Sequence, residues 1–270
     1  MIRAETYSSD RDVNEAVKDD PYFVTALARG LEVLASFRSG ETFLTNHEIA
    51  DRCRLPRSTV SRLTHTLTRL GYLHFIEEIS KYRLGTQLVA LSTIALGGLD
   101  VRQIARAAMR TLADFSNATV GLAVRDRLSM RYVECQRGPA AISLNIDVGM
   151  ERSIQHSSLG RAFIAVLSDV ERASLYEELR MLDPLAWPET QKSLDEAIAD
   201  HETLGCCRSF GEWQKNVSAI AVGFRPGAGL PPMAINCGGP TVVAPPEYLL
   251  QEVRPRLVEL ARKLDGVMGA

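Results

Sequence analysis

Between residues 57 and 65, Arg57, Ser58, Thr59, Ser61, Arg62 and His65 bring guanidinium, hydroxyl and imidazole groups into one short stretch of chain. Placed on a helix at about 100° per residue, Val60, Leu63, Leu67 and Leu70 fall within one narrow arc, the expected core face. The opposite arc holds Ser58, Ser61, Arg62, His65 and Arg69, with Arg57 beside it at the N-terminal end. Arginine can bond the major-groove edge of guanine with two hydrogen bonds, or a phosphate, and hydroxyls reach both at short range. Any surface helix exposes Arg and Ser, so the chemistry these residues do depends on the elements that position them. His65 reads either as a base contact or as an ordinary surface histidine, and Arg69 as a phosphate contact or an intramolecular ion pair.

Those elements follow in a telling order. From Thr25, Leu27, Leu31, Leu34 and Phe37 recur at helical spacing until Ser39-Gly40. Thr45 and Glu48 then stand in the relation of a capping box, in which hydroxyl and carboxylate satisfy each other's end amides, and a short second helix starts there. After the turn "CRLP", Pro56 suits the first position of a third helix, which ends at Gly71. "YLHFI" and "KYRL" read as two short strands around the polar tip "EEIS". Three helices and a hairpin make a winged helix, in which the start of the last helix faces the bases. Arg57, Ser58, Thr59, Ser61, Arg62 and His65 are therefore the expected DNA-reading residues, and Lys81 and Arg83 on the returning strand the expected backbone contacts. Local charge agrees. Arg52, Arg54, Arg57, Arg62, Arg69, Lys81 and Arg83 face only Glu77 and Glu78 between residues 52 and 83, although the whole chain carries a net charge of -2.

The chain has 270 residues, 46% hydrophobic and 24% charged, enough for two domains. Residues 1–21 read as a polar, acidic tail, 22–84 as the winged helix-turn-helix, 85–100 as a linker helix and 101–270 as a second domain. Leu84, Leu88, Leu91, Ala95 and Leu99 suggest one apolar stripe along the linker, interrupted at Gly97-Gly98 and in need of a partner subunit. Beyond it, "VRQIARAAMRTLADFSNAT" reads as a helix. "TVGLAVRDRLSMRYVECQ" reads as two strands around Arg125-Asp126-Arg127, and "AAISLNI" as a third. Helical stretches follow over 159–167, 169–179 and 194–204, then the strands "VSAIAVGF" and "PMAINCG", and a last helix over 246–268. No run of about 18 apolar residues and no signal-peptide pattern is present, so a cytoplasmic protein without a membrane partner is expected.

Catalytic and metal chemistry find little footing. His156 adjoins Ser157-Ser158, but neighbours in sequence do not form a triad and no GxSxG elbow exists. The five histidines, His47, His65, His74, His156 and His201, lack metal-ligand spacing. Cys53, Cys135, Cys206, Cys207 and Cys237 are scattered and odd in number, which argues against a disulfide framework. The vicinal pair Cys206-Cys207 suggests a thiol sensor, against which stands the expectation of buried, inert thiols pointing to opposite faces. Glu212-Trp213 suggests a pocket cap, or simple packing. No catalytic residue, metal or cofactor is expected.

"LARGLEVLASF", "LTNHEIADRCRLPRSTVSRLTHTLTRLGYL" and "KYRLG" resemble the N-terminal domain of the isocitrate-lyase-regulator (IclR) family of bacterial transcription factors. The resemblance continues through "DVGMERSIQHSSLGRAFIAVL", "ETLGCCRSFGEW" and "PPMAINCGGP". It implies an α+β protein: a winged helix-turn-helix, a linker helix used in dimerisation, and a GAF-like α/β effector-binding domain with an antiparallel sheet. It further implies a homodimer or homotetramer on palindromic double-stranded DNA operators, answering to a small organic-acid or aromatic effector. By motif, the effector site falls on His156, Ser158, Leu159 and Gly160 at a helix start suited to an anion, and on Ser209, Ala219, Asn236 and Gly238 of the strands. At the strand positions the family's Asp, Cys and two Ser are replaced, which favours a larger, less polar ligand. Two other readings remain open: a DNA-binding regulator whose second domain only oligomerises, and, more remotely, a small-molecule enzyme.

Overall fold

A side chain's face is set by a period of about 3.6 in helices and 2 in strands; the helical period sorts buried from exposed residues here, whereas the central strands of the larger sheet are buried almost throughout. The structure is a computed structural model and describes residues 21–38, 40–97, 100–140, 142–227 and 229–269. Residues 1–20 of the tail expected over 1–21, Ser39, and Gly98-Leu99 of the linker lie outside the described residues. The chain forms two compact units, Met1–Gly97 and Gly98–Ala270.

In the first unit α1 (Thr25–Ala35), α2 (Asn46–Cys53) and α3 (Arg57–Arg69) precede an antiparallel hairpin of β1 (Leu73–Ile76) and β2 (Lys81–Leu84). A short 3-10 turn, Glu77–Ile79, makes the tip. Val33, Leu44, Ile49, Ala50, Val60 and Leu73 form the core. The capping box is present: Thr45 Oγ1 accepts from the Glu48 amide at 3.2 Å and Glu48 Oε2 accepts from the Thr45 amide at 2.7 Å. Thr45→Ala removes one of these partners and is expected to cost about 1 kcal/mol, read as a lower urea midpoint for the first unit. Pro56 stands one residue earlier than expected, as the N-cap of α3. Leu70 departs from the expected core face. It is 58% exposed, because α3 ends at Arg69 and the small core ends with it, while Thr64 is buried in the arc instead.

The linker helix α4 (Thr86–Gly97) has no buried residue. Val89, Leu91 and Ile94 are all largely exposed, so its apolar side chains surround it instead of forming one stripe.

The second unit opens with α5 (Asp100–Ser116), whose buried residues Val101, Ala105, Met109, Leu112 and Ala113 recur at helical spacing. β3 (Thr119–Asp126), β4 (Ser129–Arg137), β5 (Glu151–Ser153), β6 (Cys207–Phe210), β7 (Val217–Phe224) and β8 (Met233–Pro240) form one antiparallel sheet in the order β5-β4-β3-β8-β7-β6. Between β5 and β6 come α6 (Ser158–Ala165), α7 (Asp169–Leu182) and α8 (Trp187–Leu204). The last segment is a turn of helix, α9 (Pro246–Tyr248), a π-turn at Leu249–Val253, and α10 (Arg254–Leu264). It is shorter than expected and interrupted. α5 packs on β3 and β4 and α10 on β7 and β8. On the other face Ala123, Met130, Tyr132, Ala221 and Ala234 meet Leu159, Ala162 and Phe163 of α6.

Two expectations fail in this unit. "AAISLNI" is not a strand: residues 140–146 form a loop, except that Ala141 is outside the described residues, and the third strand is β5. Arg137 fixes the loop by donating to Asn145 Oδ1 and to the Ile146 carbonyl, both at 3.1 Å, so the backbone turns out of the sheet. α8 starts at Trp187, before the expected Leu194, because Pro188 supplies a helix-start signal there.

Candidate nucleic-acid interface and ligand cavity

The first candidate site is the outer face of α3. Arg57, Ser58, Ser61, Arg62 and His65 are exposed and Thr59 is half-buried. The Arg57, Arg62 and Arg69 side chains make no hydrogen bond or ion pair among the described residues, so the ion-pair reading of Arg69 is not realised. Asn46 Nδ2 donates to Ser61 Oγ at 3.3 Å and sets the start of α2 against α3. In the hairpin His74 lies opposite Arg83 and Ile76 opposite Lys81, which puts His74, Lys81 and Arg83 on one face. On the other face the Phe75 and Tyr82 rings pack at a tilt of 45°, centroids 4.8 Å apart. Arg52 belongs to the basic stretch in sequence only. It donates to the Ser36 carbonyl at 2.8 Å and pairs with Glu41 at 2.5 Å, and so holds α1 to α2. Arg54, exposed in the turn between α2 and α3, takes the left-handed conformation at φ 53°.

The second candidate site follows from strand register. Ser209 on β6 pairs with Ala219 on β7, and Ala219 with Gly238 on β8, so these three residues stand in one row across the sheet. One step along, Asn236 lies between Ala221 and Gly121. The row is low, because Ala219 and Gly238 have little or no side chain, and a cavity forms above it. The cavity opens to solvent, and the empty space counted together with that open solvent is about 410 Å³. Ser158, Leu159, Ser209, Ala219, Asn236 and Gly238 line it, together with Ser157, with Trp213 of the suggested pocket cap, and with residues the sequence did not signal: Tyr132, Leu144, Ile146, Arg152 and Val217.

Two expected residues stand behind this wall. Gly160 packs against the backbone of Ile154, where a Cβ would lie 2.0 Å from the Ile154 carbonyl oxygen. His156 meets Ser209 through its own carbonyl, which accepts from Ser209 Oγ at 3.2 Å. Burial, and then the Arg161 charge, push the His156 imidazole down, which leaves it neutral near pH 7.

The helix start is fixed by Ser157, whose Oγ accepts from the Gly160 amide at 3.1 Å and donates to the Ser153 carbonyl at 2.6 Å. Ser158 and Leu159 therefore head α6 with amides that the helix itself cannot satisfy, at the positive end of its dipole. Arg152 on β5 lies 4.4 Å from the centroid of the Trp213 ring and 5.5 Å from that of Tyr132. It donates to the Glu151 carbonyl at 2.7 Å, and no carboxylate among the described residues pairs with it. Buried Arg161 donates to the Arg208 carbonyl at 2.8 Å and to Ser193 Oγ at 2.9 Å, and pairs with Glu212 at 3.2 Å. It thereby anchors the turn that carries Trp213, which is a cavity wall as well as packing. Burial pushes the Tyr132 hydroxyl up to about 12, so it remains a proton donor. Burial likewise raises the Cys206 thiol to about 11 and pushes Cys207 further up, so neither is a ready thiolate.

A winged helix-turn-helix followed by a separate sheet unit is the arrangement of two-domain helix-turn-helix transcriptional regulators. Residues 26–76 match the IclR helix-turn-helix domain, and residues 93–266 match the bacterial transcriptional regulator IclR C-terminal domain. The HTH-type transcriptional regulator TsaQ1/TsaQ2 of Comamonas testosteroni is 31% identical over 92% of this chain and 89% of that protein. The Pca regulon regulatory protein of Pseudomonas putida is 26% identical over 93% of this chain and 86% of its own length. The crystal structure of an IclR family transcriptional regulator from Brucella abortus superposes with a TM-score of 0.75 at 40% identity, covering 92% of this chain and 93% of that one. The chain belongs to the IclR family of bacterial transcriptional regulators. Its relatives are named as regulators and not as enzymes.

Proposed function

We propose that this protein is a cytoplasmic, sequence-specific regulator that reads a palindromic operator as a homodimer or homotetramer and releases or engages it in answer to a small organic acid. Arg57, Ser58, Thr59, Ser61, Arg62 and His65 read the major groove, and Lys81 and Arg83 hold the backbone. A second copy covers the exposed apolar residues of α1, Leu27 and Leu31, and of α4, Val89 and Ile94. A palindrome follows from the two-fold symmetry of such a pair.

The observation that carries the effector reading is Arg152. A guanidinium on the wall of a cavity, beside the apolar Leu144, Ile146, Trp213 and Val217 and with no carboxylate partner among the described residues, is charge without its complement. The start of α6 adds donors and a favourable dipole to the same wall. An acid with an apolar body fits both halves of this chemistry, while the aromatic walls suit a flat ligand. Thermal-shift screening of aromatic and aliphatic acids on the full chain tests the reading. At least one acid is expected to raise Tm, and Arg152→Met to weaken that acid by about 10-fold or more. If no acid raises Tm, the second unit serves self-association alone.

A further inference from the structure

α3 and the turn before it carry cations with no acid to answer them. Arg54, Arg57, Arg62 and Arg69 are exposed, and no carboxylate among the described residues pairs with them. The acids nearest in sequence have other partners: Glu41 holds Arg52, Glu48 caps α2, and Asp51 meets His47 at 3.2 Å. Glu77 and Glu78 belong to the hairpin tip. The complement is in the sequence. Residues 1–20, outside the described residues, hold Glu5, Asp10, Asp12, Glu15, Asp19 and Asp20 against Arg3, Arg11 and Lys18. Most of these acids lie between Asp10 and Asp20, and the segment enters the first unit just ahead of α1, which packs on α3.

We propose that residues 1–20 are a built-in competitor of DNA: while no duplex is bound, their carboxylates occupy the outer face of α3, and the operator must displace them. This role rests on the reading of α3 as the DNA-reading helix. A carboxylate offers a guanidinium the same paired acceptors that a phosphate does. Length permits the contact. A domain of this size has a radius of gyration of about 11 Å, and the stretch from Asp10 to Pro21 spans up to roughly 36 Å when extended, so its acids reach any face of the first unit. Strength follows from the tether. Non-specific duplex is held at about 10⁻⁴–10⁻⁶ M, and a segment with fewer charges binds more weakly, at about 0.1–1 mM. A covalently attached partner acts at an effective concentration on the order of 1 mM. It therefore covers the face for about half to nine-tenths of the time and weakens DNA binding by about 2–10-fold. Salt screens the contact, so the effect fades as ionic strength rises.

A full-length chain carrying Glu5→Gln, Asp10→Asn, Asp12→Asn, Glu15→Gln, Asp19→Asn and Asp20→Asn together tests this. Fluorescence anisotropy with a labelled random-sequence duplex at low salt is expected to show binding about 2–10-fold tighter than to the unaltered chain. In an Arg57→Ala/Arg62→Ala background the same neutralisation is expected to yield half that gain or less. Without DNA, phenylglyoxal is expected to modify Arg57 and Arg62 about 2-fold or more faster in the neutralised chain at low salt, and equally fast in both chains at high salt. No gain in affinity, or equal reactivity at low salt, would overturn the proposal and leave α3 to DNA alone. A gain undiminished in the Arg57→Ala/Arg62→Ala background would also overturn it, since the acids would then repel the duplex without touching α3. If Arg57→Ala/Arg62→Ala binds the duplex as tightly as the unaltered chain, the reading of α3 itself fails, and this role with it.

Discussion

Arg57→Ala and Arg62→Ala are each expected to weaken binding to a duplex selected by the unaltered chain from a random pool, by about 1–3 kcal/mol if the side chain reads a base. A lost phosphate contact would instead weaken all sequences alike and flatten the salt dependence by about one unit of slope. Both side chains are exposed and unpaired, so circular dichroism and the state of association should not change. Arg52→Ala provides the contrast. Its guanidinium is committed to Ser36 and Glu41, and its loss is expected to lower the unfolding midpoint of the first unit before it touches sequence preference. Operator affinity unchanged in both the Arg57 and Arg62 variants would remove α3 as the recognition helix.

The second large effect concerns stability. Gly160→Ala is expected to cost the second unit about 3 kcal/mol or more, a fall of about 6–12 °C in its Tm. The added Cβ would stand 2.0 Å from the Ile154 carbonyl oxygen and 2.4 Å from its Cα. Those are backbone atoms, which cannot rotate away, so α6 must retreat from the segment after β5. Ser158 and Leu159 retreat with it, and acid binding should fall in parallel. A Tm within about 1 °C of the unaltered chain would show that the helix has more freedom there than the packing implies.

How far these sites were legible depends on whether local or long-range order sets them. α3 was readable because a period of 3.6 is local, and only its ends shifted: Pro56 precedes the helix instead of opening it, and Leu70 continues the periodicity after the helix has stopped. The row Ser209, Ala219 and Gly238 was reachable by resemblance, although pairing partners far apart in sequence set it. Arg152 and Tyr132 carried no signal. Each is one residue on a strand, and its meaning comes from Trp213 arriving on a distant turn. "AAISLNI" has the composition of a strand, yet Arg137 captures its carbonyl and turns Leu144 and Ile146 into cavity wall. On α4 a stripe was inferred from every third or fourth residue, while Val89 and Ile94, off that stripe, are equally apolar.

The six-stranded sheet is long in the middle and short at its margins: β5 spans Glu151–Ser153 and β6 spans Cys207–Phe210, whereas β3, β4, β7 and β8 run two to three times as far. A border of so few residues offers an incoming strand little backbone to zip onto. Copies of this protein are therefore steered away from joining their sheets edge to edge into fibrils, even at high local concentration.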